Sequence, residues 1–393
     1  MDGDRFKDKK DKKFRILLLA DQLATASGGT EQHISFLLSN LPRDLYDLTF
    51  VLIRDTGFYN PALFPIEPIY LNLFSLSSLR STRRAVKQLS DVIRKQEIEI
   101  IQTFFYDSEI MAILASYFNG RVLRIATRRN MGHHHNLKTL WRTRLTNKFI
   151  SVFLANSEAV KKHVSSSEWV PLEEVTVIPN PLPQKRMAEG MNSRACKETY
   201  GIKEDERVVG IVATISWVKD HETFLRAARL ILDRRPKTKF ILVGRIVPGR
   251  EILLDHHIKR FKLESSVILA GEHLDPIPLM RLFDVGVLSS KSEGLSNTLI
   301  EYGALGIATV ATDVGGNTEI VLPGQTGFIV PPGSPESLAQ AILQLLDDDE
   351  LRRQFGTAAK QRVTEVFEEK KILNQYHLFY RNLVRRIPSH EET

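Results

Sequence analysis

The sequence predicts two consecutive doubly wound α/β domains, each a parallel sheet covered by helices on both faces. Three observations predict it. Short, uninterrupted apolar segments alternate with helical patterns, as strands buried on both faces require. The alternation breaks at the proline cluster Ile178-Pro-Asn-Pro-Leu-Pro183 and then restarts. The chain has 393 residues, more than the roughly 250–300 that one hydrophobic core serves.

Each element follows from its local pattern. Behind a charged leader over residues 1–13, Phe14-Arg-Ile-Leu-Leu-Leu-Ala20 is a first buried strand. The turn-rich loop Thr25-Ala-Ser-Gly-Gly-Thr30 leads into a helical pattern over Glu31–Leu41, and Leu48–Ile53 reads as the second strand. A basic amphipathic helix is predicted over Leu79–Gln96, then strands at Ile98–Phe105, Val122–Thr127, Ser151–Ala155 and Val175–Ile178. Helical patterns at Leu137–Thr146 and Glu158–Val164 separate the later ones. Beyond the prolines, strands are predicted at Val208–Ala213, Lys239–Val243, Val267–Ala270 and Val285–Leu288. Helices are predicted at His221–Asp233, Ser296–Leu305 and Ser334–Leu346, with a helical tail from Asp347 to about Arg386. Ligands of such sheets lie beyond the carboxyl ends of the strands, so a cleft between the domains is the expected site.

At 42% hydrophobic and 26% charged residues, the composition is that of a folded globular chain and excludes wholesale disorder. The single cysteine, Cys196, rules out an intrachain disulfide and fits a reducing compartment. No apolar run reaches the roughly 18–20 residues that cross a bilayer, and the leader lacks a signal-peptide core. The chain therefore reads as cytoplasmic. Net charge is +7, and it is unevenly distributed. Residues 1–190 carry 27 Lys and Arg against 20 Asp and Glu, whereas residues 191–393 carry 27 of each. Within the first half, residues 80–150 hold 14 basic and 5 acidic side chains, a sign that this region meets something anionic.

The strongest chemical signal follows the predicted strand Val285–Leu288. There Glu293-Gly-Leu-Ser-Asn-Thr-Leu-Ile-Glu301 sets two glutamates around seven residues, with a glycine after the first and a helix opening near Ser296. A helix N-terminus presents free amides and the positive end of a dipole, which attract phosphate. Glycine at 294 lets the backbone approach a ligand closely. Glutamates at this spacing suit sugar hydroxyls; two solvated glutamates on a capped helix are the alternative. Downstream stand Thr312-Asp-Val-Gly-Gly-Asn-Thr-Glu319 and Pro323-Gly-Gln-Thr-Gly-Phe-Ile-Val-Pro-Pro-Gly333.

With the glutamate pair, these segments closely resemble the family 4 glycosyltransferases, enzymes of the GT-B fold, in which two Rossmann-like domains face a central cleft. Gly28-Gly29-Thr30-Glu31, Asn156-Ser157-Glu158-Ala159-Val160 and Val177-Ile178-Pro179-Asn180-Pro181 are similar to other recurring phrases of that family. The resemblance implies an acceptor domain over 14–182, a donor domain over 183–368, and a helix over 369–393 returning to the first domain. It implies that Glu293 lies at the donor sugar and Glu301 at the nucleotide ribose. The amides of Gly294, Leu295 and Ser296 would face the pyrophosphate. Ile215-Ser-Trp-Val-Lys219-Asp-His221 matches the segment whose lysine binds the pyrophosphate, which assigns that role to Lys219. Gly28 and Gly29 would form the glycine-rich loop of the first domain.

Two departures stand out. Thr214 occupies the place where many members have an arginine, with Arg245 as a substitute or an ordinary surface residue. No first-domain residue matches the histidine that many members carry near the donor sugar. Asp107, at the predicted strand end Thr103–Ser108, is the candidate to replace it. Arg129, Asn130 and His133, after another strand end, are candidates to meet the acceptor or a donor phosphate.

Other features are weaker. Adjacent His133, His134 and His135 cannot all face one ion, and Asp347–Glu350 falls between two helical patterns, so no metal is expected. Dinucleotide and P-loop fingerprints are absent. In Leu137–Phe149, basic residues interleave with Leu137, Leu140, Trp141, Leu145 and Phe149. That pattern fits a helix lying on an anionic membrane and equally a helix whose apolar stripe enters the core. Nucleic acid is not expected, for want of aromatic platforms or a known module. The implied activity is a retaining, metal-independent transfer of sugar from a nucleotide-diphosphate sugar to a hydroxyl of a glycan or lipid-linked glycan, with no cofactor. A non-catalytic nucleotide-sugar-binding protein and a nucleotide-sugar epimerase of the same fold are the rival readings.

Overall fold

A computed structural model describes residues 13–23, 28–118, 122–132, 137–184, 187 and 197–385. The chain divides into two compact units. The first runs to Asn156, resumes over Lys161–Ile178 and takes in the chain from Leu373; the second comprises Ser157–Val160 and Pro179–Ile372.

The first unit holds a seven-stranded sheet of β1 (Phe14–Ala20), β2 (Tyr46–Leu52), β3 (Ile69–Tyr70), β4 (Ile100–Thr103), β5 (Leu123–Arg128), β6 (Val152–Ala155) and β7 (Val175–Val177). All its pairings are parallel, in the order β3-β2-β1-β4-β5-β6-β7. The order reverses between β1 and β4, and a doubly wound sheet opens its binding crevice at such a switch point. Leu17, Leu19, Val51 and Ile101 pack with Ala85, Leu89 and Ile93 of the helix Leu79–Lys95, whose basic face stays outside. The helix Glu369–Val384 is fastened by polar contacts, two buried and one partly buried. Tyr376 Oη meets His33 Nε2 at 2.9 Å, Tyr380 Oη donates to Gln102 Oε1 at 2.5 Å, and Tyr46 Oη meets His377 Nδ1 at 2.7 Å.

The second unit holds a six-stranded parallel sheet of β8 (Arg207–Val212), β9 (Thr238–Val243), β10 (Val267–Gly271), β11 (Val285–Leu288), β12 (Thr309–Thr312) and β13 (Gly327–Val330). Its order is β10-β9-β8-β11-β12-β13, with the switch point between β8 and β11. One core cluster packs Val209, Ile211 and Val287 against Phe224, Ala228 and Ile231 of the helix His221–Arg234. A second, including Ile241, Leu288, Leu299 and Tyr302, covers the opposite face.

Several elements depart from the sequence expectation. The strand expected over Ile98–Phe105 closes at Thr103, because Phe105 already caps the helix Tyr106–Ser116: its amide donates to Ser108 Oγ at 3.0 Å. β12 and β13, the helix Glu251–Arg260 and the strand β3 were not anticipated. The helical tail is two helices, Asp349–Val366 and Glu369–Val384, separated at Phe367 and Glu368. Asp348 caps the first of them by accepting from the Leu351 amide at 2.9 Å, so this part of the Asp347–Glu350 run serves a helix junction.

Candidate functional site

The carboxyl ends of β8 and β11 carry two loops that meet. After β8, residues Trp217–Lys219 form a short 3-10 turn, and Asp220 takes the left-handed conformation (φ +48°) before the helix His221–Arg234 begins. Aspartate tolerates that region better than most residues, and Thr223 Oγ1 donates to its carboxylate at 2.8 Å. After β11, Ser289 Oγ donates to the carbonyls of Lys219 and Asp220 at 3.0 and 3.1 Å, tying the two loops together. The Lys291 amide donates to Val218 O at 2.7 Å, and its ammonium lies 3.3 Å from Asp220 and over the Trp217 ring. Lys219 Nζ thereby reaches Glu293 Oε1 at 2.6 Å, and Ser290 Oγ donates to the same oxygen at 2.5 Å. Burial and the adjacent Lys219 draw the His221 pKa down to about 3, so this imidazole adds no charge beside the pair.

The loop from Glu293 to Ser296 is held by three other segments of the second unit. Gly316 N donates to Gly294 O at 2.9 Å, and Ser157 Oγ donates to the same carbonyl at 3.0 Å. Asn180 Nδ2 donates to Leu295 O at 3.2 Å and to Asn297 Oδ1 at 2.6 Å. Gly315 has φ +52°, and a Cβ there would stand 1.7 Å from Glu293 O, which restricts the position to glycine. The segments 156–160, 177–181 and 312–319 are thus explained physically: each carries a brace for this loop. Glu319 accepts from the amides of Glu158 and Ala159 at 3.0 and 2.9 Å, at the positive end of the helix Glu158–Glu168. Ser296 caps the helix Asn297–Leu305, accepting from the Leu299 amide, and Gly306 closes it in the left-handed conformation. Glu301 lies buried in its second turn. Arg245 is exposed, and its carbonyl accepts from the Ile215 amide at 2.8 Å, four residues before Lys219.

In the first unit, Gly28 caps the helix Gly29–Asn40, and the Glu31 carboxylate folds back to within 2.2 Å of where a Cβ on Gly28 would stand. Arg129 donates to Gly29 O at 3.1 Å, bringing the glycine loop to the end of β5. Burial lowers its pKa to about 10, which leaves it charged near neutrality. Asn130 Oδ1 accepts from Gly132 N at 2.9 Å in a local turn. His133 lies outside the described residues.

Asp107 belongs to a cluster the sequence did not announce. Arg54, two residues beyond β2, pairs with Asp107 and approaches Asp21, which directly follows β1. Asp21 Oδ1 accepts from the Ser108 amide at 2.8 Å. Burial, reinforced by Asp107, raises the Asp21 pKa to about 7 against the pull of Ser108 and Arg54. Folding therefore takes up a proton at Asp21 between its unfolded value and about 7. The Asp21 contribution to stability should be fully present below its unfolded value, fall as pH rises to about 7 and level off above. Asp21→Asn should flatten that fall, worth at most about 4 kcal/mol at 1.4 kcal/mol per pKa unit. Urea denaturation at pH 5 and pH 8 measures it, and an unchanged difference between the two pH values would refute the assignment. An acidic residue directly after an apolar strand was the available signal for Asp21. Ser289 and Ser290 carried none beyond their place after β11.

Among the described residues no group of histidine, cysteine and carboxylate side chains is arranged to hold a metal ion, and no helix is long and apolar enough to cross a membrane.

Residues 192–362 match the sequence profile of the glycosyl transferases group 1, and residues 27–186 that of glycosyltransferase family 4. The chain is 25% identical to an N-acetyl-alpha-D-glucosaminyl L-malate synthase of Bacillus anthracis, over 76% of this chain and 78% of that one. It is 22% identical to the capsular polysaccharide biosynthesis glycosyltransferase CapM of Staphylococcus aureus, over 83% and 87%. Among solved structures it resembles Anabaena HepE in complex with UDP-glucose, with a TM-score of 0.81 and 22% identity over 93% of this chain and 99% of that one.

Proposed function

The chain belongs to the family 4 glycosyltransferases and has the GT-B fold, and from that premise we propose a retaining transfer of sugar from a nucleotide-diphosphate sugar to a hydroxyl of a glycan or lipid-linked glycan. The observation that carries the reading is the Lys219–Glu293 pair at the β8/β11 switch point, beside a braced helix N-terminus. Departure of the nucleoside diphosphate is the difficult step, because negative charge grows on the leaving phosphate. Lys219 and the amides of Gly294, Leu295 and Ser296 stabilise that charge from fixed positions, at little reorganisation cost. The donor phosphate takes Lys219 over from Glu293, releasing the Glu293 carboxylate toward the sugar hydroxyls. Glu301 takes the ribose. Arg245 contributes the second cation in place of Thr214. The departing phosphate accepts the acceptor proton on the face it leaves, so no protein base is assigned.

In the first unit, Gly28 and Gly29 approach the donor, and Asp107 and Arg129 are the polar groups offered to the acceptor, with Asn130 beside them. No metal or cofactor enters the reaction. The names of the relatives and the UDP-glucose bound to Anabaena HepE support a nucleotide-sugar donor and a role in making polysaccharide or glycoconjugate.

The test is turnover of candidate nucleotide sugars with a glycan acceptor, with product configuration read by proton NMR. Release of nucleoside diphosphate with retained configuration is expected. Binding without turnover, inversion, or epimerisation of the donor in the absence of acceptor would each overturn the reading.

A further inference from the structure

The helix Leu137–Asn147 is inside out. Its only buried residue is Thr143, whereas Leu137, Trp141 and Leu145, spaced four apart and so sharing one face, are 80%, 54% and 57% exposed. Of the apolar stripe of this segment only Leu140 is partly buried, and the rest stays outside the core. The stripe extends through exposed Phe149 to Tyr117, whose ring centre is 6.0 Å from that of Phe149, and to Phe118, 98% exposed.

On its other flank the Trp169 ring meets Trp141 edge-on at 5.4 Å, and the Arg144 guanidinium lies 3.7 Å from the Trp169 ring centre. Trp169 sits at φ +59°, a conformation costly for a bulky residue that persists only when its surroundings enforce it. Here the enforced conformation holds an indole at the surface. The same helix carries exposed Lys138 and Arg142, and Lys148 follows it, with no Asp or Glu in the helix.

Aromatic and leucine side chains interleaved with long cations match an interface that is apolar in depth and anionic at its surface. A second copy of the chain fits poorly, because two such faces would set like charges against one another. We propose that this face seats the first unit on an anionic lipid bilayer, with Trp141, Trp169 and Leu145 at acyl depth and Lys138, Arg142 and Lys148 among the headgroups. This goes beyond the transfer reaction and does not rest on it.

Sedimentation with vesicles of phosphatidylcholine, with and without phosphatidylglycerol, tests it without turnover, so its failure is separate from failure of the enzymatic reading. The full chain should bind the mixed vesicles, shift its tryptophan emission to the blue on doing so, and weaken as salt rises. Lys138→Ala/Arg142→Ala/Lys148→Ala should lower partitioning roughly a hundredfold, about fivefold (~1 kcal/mol) for each cation. Trp141→Glu/Leu145→Glu should lower it at least tenfold, with the circular dichroism spectrum and melting unchanged, since both side chains are exposed. Equal binding to pure phosphatidylcholine, or variants that bind like the wild type, would overturn the proposal. A concentration-dependent dimer that Trp141→Glu/Leu145→Glu dissolves would overturn it too, assigning the face to a second copy.

Discussion

Lys219→Ala should slow sugar transfer about 10²–10³-fold, the usual consequence of removing one preorganised donor from a developing oxyanion. Lys219 reaches its position only because Ser289 clamps the carbonyls of Lys219 and Asp220 and because Asp220 accepts the left-handed turn. Its ammonium is the side-chain cation paired directly with Glu293. The loss should appear mainly in kcat, since in the proposed reaction the charge facing Lys219 is largest when the phosphate leaves. Melting should fall by less than for a fully buried pair, because Lys219 is partly exposed and Ser290 still donates to the buried Glu293 carboxylate. Initial rates of nucleoside diphosphate release, with and without acceptor, measure the effect. A wild-type rate in Lys219→Ala would remove the phosphate role from this residue, and with it the central support for the proposed mechanism.

The largest effect on stability should come from Arg128→Met. Arg128 ends β5, and its guanidinium is shared by two buried carboxylates. Nε lies 3.0 Å from each oxygen of Glu168, Nη2 donates to Glu109 Oε2 at 3.2 Å, and Nη2 also donates to Asn147 Oδ1 at 3.1 Å. Burial pushes the Glu109 carboxyl up even beside this cation. Removing the arginine leaves two uncompensated buried carboxylates, at about 3–5 kcal/mol for a broken buried pair. A melting transition lower by roughly 10 °C follows for a unit of this size. Replacing all three charges with apolar residues of similar volume should recover most of the loss, since a buried ion pair and a well-packed apolar group are often near equal in stability. Calorimetry of the single and triple variants checks both. A single variant that melts with the wild type would show that water already solvates the pair.

The two sheets were legible because their central strands are uninterrupted apolar runs: Phe14–Ala20 and Val285–Leu288 can lie nowhere but in the interior. β12 and β13, Thr-Val-Ala-Thr and Gly-Phe-Ile-Val, are too short and too mixed with threonine and glycine to stand out from the loops around them. The helix Tyr106–Ser116 was not legible because Phe104, Phe105 and Tyr106 carry the apolar character of β4 straight into it. Lys219 and Glu293 were legible as members of separate motifs, and each segment also read as lying after a strand of the second sheet. The group of Asp21, Arg54 and Asp107 was not legible. Its members follow β1, β2 and β4, and only the strand order β2-β1-β4 brings those three ends together. Periodicity identifies strands but does not order them.

The three braces on the loop from Glu293 to Ser296 also bear on how this protein can be recombined with a relative. Gly316 lies downstream of that loop, but Asn180 and Ser157 lie 115 and 137 residues before the backbone they hold. A hybrid joined after the prolines, at 183, would take its loop from one parent and two of its three fasteners from the other. A junction placed before Ser157 keeps loop and fasteners from one source, so the seam that leaves this loop braced falls some two dozen residues upstream of the one the prolines advertise.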